Sequence, residues 1–105
     1  MAKMHRQGDL LFIRVDEKIP KKAKKRDSKV ILEGEATGHT HRISHGADIY
    51  DMMGFPREKE TWLSVEDDIA EIVHDEHAPI QLEKGVWKVV RQREYNDGVI
   101  SLVKD

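Results

Sequence analysis

Nowhere in this chain does an apolar residue recur every three or four positions for long enough to make an amphipathic helix. Short runs rich in β-branched and aromatic residues follow one another instead. Turn residues punctuate them at roughly 8–12-residue spacing, the pattern of a small β-barrel or sandwich. The runs are Gly8–Val15, Lys29–Glu33, His39–Ile43, Ala47–Met52, Thr61–Val65, Ile69–Val73, Pro79–Leu82, Val86–Tyr95 and Val99–Val103. Ser44-His45-Gly46 is expected to turn the third run back onto the fourth. Gly34 and Gly38 bracket a bend at Glu35-Ala36-Thr37, and Met53–Glu60 reads as a loop. Glu66-Asp67-Asp68 and Glu83-Lys84-Gly85 read as further turns, and Asn96-Asp97-Gly98 is the strongest hairpin signal.

Length makes this one all-β domain, residues 1–105, because 105 residues suffice for a single core and not for two. The charged fraction is 36%, against about 25% in an average chain, so the core must be small and the surface densely charged. There is no cysteine, which excludes a disulfide framework, a thiolate zinc site and a cysteine nucleophile. No segment approaches the roughly 18 apolar residues of a membrane span, and the start has no signal-peptide core. The expected compartment is the cytoplasm, with no membrane partner.

The net charge of −2 hides an asymmetry. Between Lys18 and Lys29 stand seven basic residues and one acid; between Glu66 and Glu83 stand seven acids and no Lys or Arg. The basic loop, about 18–29, offers Lys21, Lys22, Lys24, Lys25 and Arg26 to phosphates, the electrostatic footprint of a nucleic-acid partner. Set against this, like charges around Pro20 also describe a solvated loop. The acidic stretch of one copy can also meet the basic loop of another and favour a homo-oligomer. On the long strand Val86–Tyr95, Arg91 and Arg93 share a face with Trp87 and Tyr95. That face suits stacking and pairing with a nucleic acid or another anion, or an ordinary strand with one apolar and one wet half.

Histidine carries the chemistry. There are six, where roughly two or three would be average. Four form two pairs, His39-Thr40-His41 and His74-Asp75-Glu76-His77; His5 and His45 stand alone. On a strand, residues i and i+2 face the same side about 6–7 Å apart, so His39 and His41 can offer two imidazoles to one point. His74 and His77 converge if the turn before Pro79 is tight. Together His39, His41, His74 and His77 are a candidate site for Zn²⁺, Fe²⁺, Mn²⁺, Ni²⁺ or Cu²⁺. Asp75 and Glu76 are placed to orient ring nitrogens. Hydrolytic or oxidative chemistry would follow if such a metal were open to solvent. Without metal, two histidines on one scissile phosphate can act as base and acid, with Arg42, Arg91 or Arg93 stabilising charge, as in a small RNase.

An H-x-H on a strand after a glycine resembles the first metal motif of the cupins, small two-sheet β-barrels. The likeness covers Gly34 to His41 and a later histidine, and it implies a metal in a barrel mouth. It departs from that motif in three ways. The glycine-to-histidine spacing is one residue short, Ser44 and His45 stand where a glutamate would follow, and P-x-G is absent around His74. The chain as a whole looks like small uncharacterised bacterial and phage β-proteins. Gln7-Gly8-Asp9, the run Glu33–Arg42, and the run from His77-Ala78-Pro79-Ile80 to Arg91-Gln92-Arg93-Glu94-Tyr95 carry that resemblance. Three expectations go forward: a histidine metal site, a non-catalytic nucleic-acid or assembly module, and a metal-free RNase.

Overall fold

The computed structural model describes residues 3–33, 38–54 and 59–91, and the strand backbones of 93–96 and 99–102. The fold is all-β. Ten strands form: β1 Met4–Gln7, β2 Leu10–Val15, β3 Lys24–Lys25, β4 Val30–Glu33, β5 Thr40–His45, β6 Ala47–Met53, β7 Lys59–His74, β8 Ile80–Arg91, β9 Arg93–Asn96 and β10 Val99–Leu102. Eight make one antiparallel sheet, ordered β1-β2-β8-β7-β5-β4, with β6 on β7 and β3 on β6. The sheet does not close into a barrel, which corrects the barrel expectation. β9 and β10 form a separate antiparallel ribbon. Of the turn expected at Asn96-Asp97-Gly98 the last two residues lie outside the described ones, as do Glu35-Ala36-Thr37. No described helix is long and apolar enough to cross a membrane.

Three expected turns are not turns. Glu66-Asp67-Asp68 lies within β7, which pairs with β8 both before it (Val65↔Gly85) and after it (Ile69↔Glu83). The extra residues are pushed out of the ladder as a bulge, and all three acids are exposed. Glu83-Lys84-Gly85 likewise lies inside β8, where Gly85 takes a φ of 138° and the strand runs on. Ser44-His45-Gly46 does not fold β6 back on β5. Both strands run antiparallel to β7, β5 along its second half and β6 along its first, so they lie end to end. Gly46 is the joint. Its φ is 91°, and a Cβ there would stand 2.5 Å from the Ile69 carbonyl oxygen. The β7 bulge thus closes over a position that only glycine fills without a clash.

The bulge also sets which residues face inward. Before it the buried positions of β7 include Leu63 and Val65; after it they are Ala70, Ile72 and His74. Strand side chains alternate with a period of two, so odd-numbered burial can become even-numbered only across an irregularity. This change of phase brings His74 inside. The core it joins contains Phe12, Ile43, Ile49, Leu63, Ile72, Leu82 and Trp87. Trp87 is wholly buried, and its indole N–H donates to the Glu83 carbonyl at 2.8 Å. It is a core side chain and offers no stacking face, contrary to the ligand-facing role considered for it.

Candidate histidine site

β5 and β7 place His41 and His74 directly opposite each other in the ladder. Cross-strand partners on one face lie close enough to touch, and the two ring centroids are 4.3 Å apart. His77 reaches the same place through the turn after β7. There the His74 Nδ1 accepts the backbone N–H groups of Glu76 (3.0 Å) and His77 (3.2 Å), which curls the chain back. The His77 ring lies 4.5 Å from that of His74 and stands nearly parallel to that of His41 at 6.5 Å. His39, just before β5, meets His74 edge-on at 5.6 Å. The four paired histidines therefore share one region. Of the other two, His5 packs on Trp87 and His45 is exposed.

His41 is fully buried and held from both sides. Its Nδ1 lies 3.0 Å from the Gln7 side-chain oxygen, and its Nε2 lies 3.2 Å from Asp9 Oδ1. The Gln7 amide cannot be turned around, because its NH₂ donates to the carbonyls of Ile72 and Ala78 at 3.0 Å each. Both imidazole nitrogens thus face acceptors. Each nitrogen can meet its acceptor by donating a proton. Asp9 is itself fully buried, and its other oxygen accepts from Arg91 Nε at 2.9 Å. Gln7 and Asp9 come from the end of β1 and the turn before β2. Their side chains tie this end of the sheet to β5 and β7 without backbone pairing.

This geometry bears on each expected ligand. His41 has no lone pair to give a metal while it donates to Gln7 and Asp9. In His74 the Nδ1 lone pair is taken by two amides, so its ring proton is on Nε2. Among the described residues, no three His, Asp or Glu side chains stand so as to hold one metal ion. Glu76 approaches His39 Nε2 at 3.6 Å. Asp75 orients no ring; it accepts the Thr40 N–H at 2.9 Å and meets Arg42 at 3.3 Å. The Thr40 N–H, helped by Arg42 and His39, holds the Asp75 carboxyl below its usual pKa, against some desolvation.

The cations singled out in the sequence separate in the same way. Arg91 is engaged by Asp9, and Arg42 by Thr40 and Asp75. Arg26 is no surface contact. It grips Asp51 with two hydrogen bonds of 2.6 Å and donates to the carbonyls of Val30 and Ile31. Lys25 and Lys29 pair with Asp48. Lys21, Lys22 and Lys24 are exposed. The Arg93 side chain lies outside the described residues.

Sequence reasoning missed Gln7 and Asp9 as site residues. Their local signal is slight: two polar residues astride a glycine, ahead of an apolar strand. Nothing along the chain indicates that they meet His41. The family model named Domain of unknown function (DUF8820) matches residues 6–92, a span that includes every residue of this site. No curated protein and no solved structure matches the chain.

Proposed function

The chain belongs to the DUF8820 family, a domain of unknown function, and from the geometry we propose that it binds a divalent transition metal through His39, His74 and His77. The observation that carries this is the spacing of their rings. Three imidazoles on one ion put ring centroids roughly 5 Å apart; His39 and His74 stand 5.6 Å apart, and His74 and His77 4.5 Å. His41 drops out of the ligand set and becomes the fixed floor, locked by Gln7 and Asp9. Glu76, beside His39, is a carboxylate donor within reach. An all-nitrogen set suits zinc, copper, nickel or iron better than manganese. With three protein ligands a position remains for water, and a bound water is where hydrolytic chemistry would begin.

His39 and His77 each stand at the right separation from His74, but the rings are not turned to one point. A metal must take His74 at Nδ1, displacing the Glu76 and His77 amides, or at Nε2, moving the proton to Nδ1. Either way the two amide bonds are lost, at about 1 kcal/mol each. Binding therefore remodels the 75–77 turn. The test is elemental analysis of untagged protein, followed by calorimetric titration of the EDTA-treated protein with Zn²⁺ and Ni²⁺. One ion per chain is expected, with large NMR shifts at the Glu76 and His77 amides. His74→Ala should weaken binding by more than about 100-fold, the upper range for losing a mere outer-shell partner. His45→Ala should change nothing. Binding well below one equivalent, or binding indifferent to His74→Ala, overturns the reading.

A further inference from the structure

A cleft of about 640 Å³ opens where the start of β7 and the end of β8 face β4. Its size falls within the roughly 300–1,000 Å³ typical of small-molecule sites. Leu10, Ile31, Leu32 and Val89 give it an apolar wall. Among its described lining residues four are cations (Arg26, Lys59, Lys88 and Arg91) and one, Glu60, is an acid. The two arginines are tied to Asp51 and Asp9. The two lysines are held far less firmly. Lys59 Nζ is 3.8 Å from Asp51, and Lys88 Nζ is 3.9 Å from Glu60 and 6.0 Å from the centre of the Trp62 ring, all beyond hydrogen-bond reach. An ammonium on a flexible stem at that distance can swing to a new partner at little cost.

We propose that this cleft binds a small organic anion, a carboxylate or phosphate group on an apolar body. Lys59 and Lys88 meet the charge, and the Leu10–Leu32–Val89 wall takes the body. Concavity, an apolar wall and cations along the rim are together what such a ligand requires. The cleft adjoins the histidine site through Arg91, which lines it and also holds Asp9. The proposal does not depend on a metal.

Full-length, EDTA-treated protein titrated with octanoate and with phenyl phosphate, followed by amide NMR, tests it. Shifts are expected at Leu32, Thr61, Val89 and Val90, with the stronger of the two ligands showing which anionic group is preferred. Lys59→Gln combined with Lys88→Gln should weaken binding at least about tenfold while leaving the spectrum well dispersed; tenfold corresponds to about 1.4 kcal/mol. 1-Octanol should bind far more weakly, and His45→Ala should bind as wild type does. No shifts at millimolar ligand, equal binding of octanol, or unchanged affinity in the double variant would overturn it. None of these results touches the metal reading, which is measured separately.

Discussion

Two arginine–aspartate pairs in this protein look alike in the sequence and do different work. Arg26 and Asp51 are about one-fifth exposed. Their contacts are short, and Thr61 adds a third donor to the carboxylate at 2.8 Å. With its two carbonyl bonds, Arg26 staples the basic loop and β4 to β6. In the second pair the carboxylate of Asp9 is about 1% exposed, while Arg91 is about a quarter exposed. Asp9 meets Arg91 at 2.9 Å and a histidine at 3.2 Å. The first pair holds a loop with a saturated carboxylate that some water can still reach. The second frames a site, and its buried carboxylate joins Arg91 to the His41 ring.

Removing the second carboxylate should therefore hurt most. Asp9→Ala takes from Arg91 its counter-charge and from the buried His41 ring its acceptor, an expected loss of about 3–5 kcal/mol in urea unfolding. Arg26→Ala should cost less, about 2–3 kcal/mol, because Asp51 can be partly rehydrated. If Arg26→Ala proves the more damaging of the two, the contrast between staple and frame fails.

Acid offers a gentler way to separate them. Burial pushes the Asp51 carboxyl up, but hydrogen bonds from Arg26 and Thr61 outweigh it and hold its pKa below 3.8. A lowered folded-state pKa contributes stability that is present above the unfolded value and lost as pH falls through the folded one. Wild type should therefore lose stability as pH falls from about 4. Asp51→Asn, weaker at neutral pH, should lose less across that window when denaturant midpoints are compared. Parallel curves would show that Asp51 contributes no such linkage. The smallest effect is expected at the rim. Lys25 is more than half exposed and 3.5 Å from Asp48. Lys25→Ala should change stability by less than about 0.5 kcal/mol, and a larger loss would make the loop's outer charges part of the staple.

The strand content was legible because apolar alternation is local. β2, β4, β5 and β6 lie close to the runs read as Gly8–Val15, Lys29–Glu33, His39–Ile43 and Ala47–Met52. What misled was punctuation. Glu66-Asp67-Asp68 has turn chemistry, but a bulge uses the same residues. The two differ only in whether the chain rejoins the same neighbour, which no window of sequence contains. β1 escaped notice because Met4-His5-Arg6-Gln7 has no strand pattern of its own; pairing with β2 makes it one. The histidine pairs stood out by spacing, and the fold places them together. Gln7, Asp9 and the internal engagement of Arg26 and Arg91 were invisible for one reason: each partner is distant in sequence, and a basic residue reads the same whether a phosphate or a buried aspartate awaits it.

The β7 bulge has a consequence for how such a chain tolerates change. Its three acids touch nothing in the site, so their identity should matter little. Their number is another matter. Losing or gaining one residue there would rotate the rest of the strand by half a turn, bringing Val73 inward and sending His74 to solvent. The site is thus kept in step by a count made several residues away, in a segment that looks dispensable. Swaps within that segment are silent and single-residue length changes are not, so length rather than chemistry is what it must preserve.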